Sequence, residues 1–364
     1  MKNMGMNRMK KMSARPKGWI PSLSGLVLAS MTAGSIPAVA QVKTVNLQAV
    51  QASRVIRGET ITFWTFDDTS TALIGRVSPG PVIGVGANQG LEIILVNNLT
   101  LPPGATELPT SIIIPGQPMP EVFDGATSLG KGVVRTGDGR VRSLTQETPL
   151  GQTRRYVWST ATGNQLEAGT YLYQSGTHMT VQVQMGLYGA VQKNTSANTP
   201  YPNYTFGAQT TWVYSEVDAG LHAAVVDGTY GTSAFPTTMD YLPNYFLING
   251  NLQNNLANAL KTVDVTNNPL GDPLLIRMLN AGLNTHVPTF LNTHVQIIAE
   301  DGKPYPFAKD QYSLQLYAGK TKDVLMDIPA NGTYSVFDRR LFRTGGSTAD
   351  GGISGGMAGR IIFN

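Results

Sequence analysis

The sequence predicts an all-β protein made of two tandem Greek-key β-sandwiches, and three observations carry that expectation. The 364 residues include 40 glycines and 22 prolines, the turn chemistry that many short strands need and a helical bundle does not. Short apolar or alternating segments recur between turn signals, with almost no helical periodicity. The second half then repeats the grammar of the first, as duplication of one sandwich domain would.

Taken in order, Ile61 to Phe66 is a strong strand stopped by Asp67-Asp68. Leu91 to Asn98 is an apolar strand ended by Asn, a turn former. Before it, Gly84 to Gly90 is glycine-rich, but its spacing is wrong for a phosphate loop and no helix follows to offer its N-terminus, so it reads as turns. Gly151-Gln152-Thr153-Arg154 leads into Tyr156-Val157-Trp158, and Gly169-Thr170-Tyr171 opens the next strand. Thr180 to Met185 alternates polar and apolar, which predicts a strand burying Val181, Val183 and Met185 on one face, with His178 on the face opposite Met185. A glycine-rich run then enters Ala190-Val191, and Lys193 to Pro200 reads as an interdomain linker. One helix is expected, with Ser215 and Asp218 at its start, Leu221 to Val226 in its body and Asp227-Gly228 at its end.

The repeat is legible residue by residue. Leu274 to Asn280 parallels Leu91 to Asn98; Gly319-Lys320-Thr321-Lys322 leads into Val324-Leu325-Met326; Gly332-Thr333-Tyr334 matches Gly169-Thr170-Tyr171; and Gly355 to Ala358 leads into Ile361-Ile362-Phe363. The resulting division is a signal segment over 1–40, a first domain over 41–192, a linker over 193–204 and a second domain over 205–364.

Hydrophobic residues make up 41% and charged residues 14%, a composition too apolar for a disordered chain. The net charge of +4 misleads about partners. Lys2, Arg8, Lys10, Lys11, Arg15 and Lys17 lie in the first 40 residues, which hold no acid; without them 21 basic residues face 23 acidic ones. No basic stripe with interleaved aromatics remains, which argues against nucleic acid as a partner. The same basic segment precedes an apolar stretch from Leu23 to Met31 and the small residues Ala38-Val39-Ala40, the pattern of a secretory signal cleaved after Ala40. The expected location is therefore periplasmic or extracellular, with no membrane span after the signal. With no cysteine in the chain, disulfides and thiolate metal sites are ruled out.

Several motifs resemble a known family. Gly80-Pro81-Val82-Ile83, Val96-Asn97-Asn98-Leu99, Asp124-Gly125 and Gly169-Thr170-Tyr171 follow the order of the first cupredoxin domain of multicopper oxidases. Tyr245 to Gly250, Leu275 to Gly282 and Val295 to Gly302 resemble its second domain. The run from Ser215 to His222, with the Ser-Gly-Thr after Tyr173, is similar to a bacterial subgroup associated with manganese oxidation. The resemblance implies cupredoxin-like sandwiches and, in the family, eight histidines for a trinuclear copper cluster plus a cysteine at a blue site. The family's "SIHWHG" falls on Ser111 to Gly116, so Ile113 and Pro115 stand at two ligand positions. Its "GTYWYHSH" falls on Gly169 to Gly176, so Gln174 and Gly176 stand at two more. The family's last domain, with the remaining ligands, is expected to lie outside this sequence.

Four histidines in the whole chain fall short of eight, and a symmetric homo-oligomer leaves that ratio unchanged. The expectation is an exported multicopper-oxidase-like protein without catalytic residues or copper cofactor, serving as a binding or scaffold module. Two alternatives accompany it. One is an oxidoreductase completed by a copper-bearing oxidase subunit or another cell-envelope protein. The other is a mononuclear copper protein using His178 and Met179, with Met185 nearby, or Asp218 and His222, which lie four apart on one helix face with Glu216 close in sequence. For each the structural alternative is plain: a strand-edge histidine for His178, an ion pair or hydrogen bond for Asp218 and His222. His286 and His294 read as satisfied core or edge histidines.

Overall fold

Alternation of buried and exposed positions organises the chain through both halves of the computed structural model, which describes residues 41–69, 78–251, 263–264, 271–327, 330–341 and 356–363. The expected signal segment, 1–40, lies outside the described residues. The first half contains β1 (Val42–Ile56), β2 (Glu59–Asp68), β3 (Ile83–Val85), β4 (Gly90–Asn98), β5 (Glu121–Asp124) and β6 (Thr127–Gly130). A small hairpin, β7 (Val134–Arg135) and β8 (Val141–Ser143), precedes β9 (Thr153–Trp158), β10 (Gly169–Gln174), the helix α1 (Met179–Met185) and β11 (Tyr188–Lys193). The second half contains β12 (Ala208–Val217), the helix α2 (Ala219–Val226), β13 (Tyr245–Ile248), β14 (Val263–Asp264), β15 (Leu274–Asn280) and β16 (Pro288–Phe290). It ends with β17 (Val295–Glu300), β18 (Lys303–Gln311), β19 (Thr321–Met326), β20 (Gly332–Asp338) and β21 (Ala358–Phe363).

The repeat seen in the sequence is a repeat of topology. One six-stranded sheet runs β2-β1-β4-β9-β5-β6 and the other β13-β12-β15-β19-β17-β18. In each, the long first strand pairs antiparallel with its edge neighbour and parallel with the apolar strand that ends in Asn. The facing sheets are β10-β11-β3 and β14-β21-β20-β16. Two single-residue devices recur as well. Asn97 Nδ2 donates to the carbonyls of Leu108 and Thr148, and Asn280 Nδ2 to those of Asn284 and Leu316. Tyr171 Oη donates to Ala168 O at 2.9 Å, and Tyr334 Oη to Ala330 O at 3.0 Å, each tyrosine pinning the corner before its strand as in other sandwiches.

The two sandwiches share buried surface within one unit, Ala40–Asn364. On β10, Tyr171 and Tyr173 turn into the first core while Leu172 joins Val213, Leu279 and Ala281 of the second half. Thr170, on the Leu172 face, meets a buried polar cluster. Its Oγ1 donates to Asp323 Oδ1 at 2.6 Å and accepts from Arg277 Nη1 at 2.7 Å, while Tyr201 Oη donates to the other Asp323 oxygen. Arg277 is fully buried and also reaches Gln209 and Asn194. The segment expected to be a linker is thus held in place, with Lys193 ending β11, Asn194 bound by Arg277, and Tyr201 and Phe206 packed on Leu275, Ile298 and Leu325.

One expected strand is a helix. Thr180 to Met185 forms most of α1, and its buried polar residue Gln182 is held by partners from other segments. Gln182 is buried, its amide donating to Pro109 O at 2.8 Å and its carbonyl accepting from Ser175 and Thr110. Six alternating residues are too few to distinguish the two periods, and tertiary contacts decide. His178 therefore does not lie on a strand face opposite Met185; it stands before the helix with φ 40°, in the left-handed region. The expected helix is present as α2, capped by Asp218, whose Oδ1 accepts from Leu221 N at 3.0 Å; Ser215 lies in β12 and takes no part in the cap. Leu221 and Val225 of α2 join the core of the first sandwich, although the helix follows the expected linker in sequence.

Candidate functional site

The four positions at which the family resemblance places copper ligands come from two neighbouring segments. Ile113 N donates to Gln174 O and Gln174 N to Ile113 O, both at 2.9 Å, so residue 113 lies beside the end of β10. Gly176 follows and is buried under Ile113: a Cβ there would stand 2.8 Å from Ile113 Cγ2 and 3.1 Å from Ser111 Oγ. Pro115 is exposed, and Ile113 and Gln174 are half-buried. Around them runs a closed set of hydroxyl and amide contacts. Thr177 Oγ1 is 2.9 Å from Ser111 Oγ and 3.0 Å from Ser143 Oγ, and Gly176 N donates to Ser111 Oγ at 3.1 Å. Ser175 Oγ donates to Gln182 Oε1 at 2.6 Å. These buried groups satisfy one another, which is what burial of polar atoms requires.

The histidines are dispersed. His178 is exposed, while the Met179 sulfur lies 3.9 Å from Gln174 Nε2 and its side chain packs on the cluster between the sandwiches. Met185 is in the first core, so His178, Met179 and Met185 share no site. Asp218 spends its oxygens on Leu221 N and on Leu242 N at 2.8 Å. His222 turns away into the first sandwich, with Nδ1 2.6 Å from Thr62 O, Nε2 3.0 Å from Gln184 O and its ring edge-on to Phe63. Both ring nitrogens face carbonyl oxygens, and burial lowers the pKa although those two bonds favour protonation. Asp218, His222 and Glu216 therefore do not converge.

Glu216 belongs to an arrangement that no local pattern announces. His286 is fully buried between two carboxylates, with Nε2 2.7 Å from Glu216 Oε1 and Nδ1 2.9 Å from Asp338 Oδ2. Glu216 also accepts from Leu283 N and Asn284 N, and Asp338 from Val287 N and Arg340 N. Burial pushes the Asp338 carboxyl up, but the His286 and backbone bonds outweigh it and hold its pKa below the usual carboxylate value. The two carboxylates flank opposite edges of the ring, so they clamp β12 to the end of β20 through the imidazole and do not offer one ion a common position. His294 is exposed, edge-on to Tyr312. Among the described residues, no three His, Asp or Glu side chains form a metal-holding group.

The multicopper oxidase family model matches residues 220–355. Among solved structures, the chain is similar to a blue copper oxidase from Nitrosomonas europaea, at 18% identity and TM-score 0.62, over 88% of this chain and 85% of that one. It is also similar to a copper nitrite reductase from Nitrosomonas europaea, at 15% identity and TM-score 0.57, over 89% and 94%. A laccase from Botrytis aclada matches at 18% identity and TM-score 0.59, over 90% of this chain and 53% of the laccase. No curated protein sequence matches. The protein is multicopper oxidase-like, with cupredoxin sandwiches.

The residues of this multicopper oxidase-like chain do not fit the family's copper cluster at the positions its motifs define. Copper in such sites takes imidazole and soft sulfur donors. Here the corresponding side chains are aliphatic, absent or amide, and Gly176 has no room for a side chain while Ile113 occupies the space. The hydroxyls of Ser111, Ser143 and Thr177 are already engaged with one another. The Glu216–His286–Asp338 clamp lay beyond sequence reasoning because its members come from three separate strands and loops, and no spacing links them.

Proposed function

We propose that this chain is an exported, multicopper-oxidase-like binding or scaffold module that does not carry out copper-dependent oxidation by itself. The observation that carries the reading is the contact of Ile113 with Gly176, which closes with aliphatic packing the space where the resemblance places imidazoles. Filling that volume with isoleucine stabilises the sandwich without leaving unpaired ring nitrogens in a buried position. Export rests on the basic and apolar pattern of residues 1–40. Among the described residues no helix is long and apolar enough to cross a membrane.

A second reading, an oxidase completed by a copper-bearing polypeptide, is favoured by the similarity to solved oxidases, among them a blue copper oxidase matched over 85% of its length. One experiment separates the two. The mature protein is loaded with Cu(I) and Cu(II), dialysed, and assayed for oxidation of a laccase dye, alone and with proteins that copurify with it. No turnover in either preparation is the expected result. Turnover by the lone chain contradicts the proposal, and turnover only with a copurifying protein replaces it with the second reading.

A further inference from the structure

The second sandwich carries a cavity of about 830 Å³ between β17, β18 and the segment 312–317, a volume typical of small-molecule sites. Its floor is apolar, made by Val287, Ile297 and Leu314. Two tyrosines form its walls, and each holds a cation against its ring. Lys309 Nζ stands 4.3 Å from the Tyr305 ring centre; the Arg339 guanidinium is 6.0 Å from the Tyr312 centre, with Nη1 3.3 Å from Tyr312 Oη. Among the described residues neither cation has a carboxylate partner within ion-pair distance.

The acids of the lining do not cancel these charges. Glu300 is already neutralised by Lys322 at 2.9 Å and Lys320 at 3.2 Å, and it accepts from Tyr305. Asp310 pairs in register with Gln296, whereas Lys309 pairs with the core residue Ile297. Adjacent strand positions point to opposite faces, so Asp310, which borders the cavity, directs its carboxylate toward the groove on the other side of the sheet, which it lines with Gln296 and Asp327. The cavity thus combines an apolar floor, flat aromatic walls and two unneutralised cations.

The geometry points to a binding site for a ring-bearing organic anion, an aromatic body with a sulfonate, carboxylate or phosphate group. The body lies on the apolar floor between Tyr305 and Tyr312, and the acid group takes the charge-assisted bonds of Lys309 and Arg339. The site is independent of the copper question, being confined to the second sandwich and using none of the positions discussed for copper.

Anilinonaphthalene sulfonate is a suitable probe, with the neutral N-phenylnaphthylamine as comparator, in fluorescence titrations of the folded mature protein. The expected result is saturable binding of the sulfonate at one per chain, weakened on the order of tenfold or more by Lys309→Gln with Arg339→Gln, the loss of two charge-assisted contacts. Lys303→Gln, on the same strand outside the cavity, leaves the affinity unchanged. For the wild-type protein the affinity falls as salt rises, a readout that does not depend on any variant. Non-saturable binding, equal affinity in the double variant, equal affinity for the neutral dye, or salt-independent binding each overturns the assignment. None of those results alters the reading of the Ile113–Gly176 contact.

Discussion

Gly176 shows how closely a single position is packed in this fold. Its missing Cβ is required by Ile113 Cγ2 and Ser111 Oγ, so Gly176→Ala is expected to destabilise the protein by about 1–3 kcal/mol through overpacking. Combined with Ile113→Ala, the loss is expected to be smaller than the sum of the two single effects, because the residues touch; urea unfolding of the four proteins measures this. Arg277 is the opposite kind of residue, a buried cation with every neighbour engaged. Arg277→Met strands Asp323, which is also buried, and is expected to cost about 3–5 kcal/mol. An equilibrium unfolding midpoint unchanged from wild type would contradict this. In the sequence Arg277 is only a charge inside an apolar strand, Leu274 to Asn280. Its burial and its partners Thr170, Asp323 and Asn194 are not legible there, because those residues are too distant in the chain.

At the scale of elements, the strands with long apolar runs were legible and the short helix α1 was not. Leu91 to Asn98 and Leu274 to Asn280 bury enough of both faces that only a central strand accommodates them. Thr180 to Met185 shows the strand period, yet the carbonyls and hydroxyls around Gln182 hold it as a helix. α2 was legible because Asp218 supplies a cap that works locally. Asp218→Ala is expected to lower stability by about 0.5–2 kcal/mol, the range for a lost N-cap, with additional loosening of the Leu242 turn it also holds. Hydrogen exchange at the amides of Leu221 and Leu242 reports this; unchanged protection at both would refute it. What local pattern did not reveal is which sandwich receives α2, since Leu221 and Val225 enter a core built mostly of residues more than a hundred positions earlier.

For the molecule as a whole, duplication was legible and the contacts between the copies were not. The matching strand orders, Asn97 with Asn280 and Tyr171 with Tyr334, follow from the repeated motifs. The polar cluster between the sandwiches and the Glu216–His286–Asp338 clamp combine residues from distant segments, and a lone sequence carries no distance information for them. Acid sensitivity belongs to this scale. Burial alone would raise the pKa of Glu300, but Tyr305, Lys322 and Lys320 hold it at about 2 in the folded protein, below the ordinary value of 4.5. A depressed carboxyl stabilises the fold fully above its unfolded-state pKa and loses that contribution as pH falls toward 2. Stability is therefore expected to decline between pH 4.5 and 2, and Glu300→Gln to decline less steeply over the same window. Parallel curves for the two proteins would show that this carboxyl is not responsible.

Metal stoichiometry tests the central claim most directly. After exposure of the purified mature chain to excess Cu(I) and Cu(II) and exhaustive dialysis, copper per chain and the visible spectrum are measured together. The account predicts no retained multinuclear copper and no blue absorption, because Ile113, Pro115, Gln174 and Gly176 offer no ligands and the chain has no thiolate. Several tightly held coppers per chain, or a blue band, would contradict it.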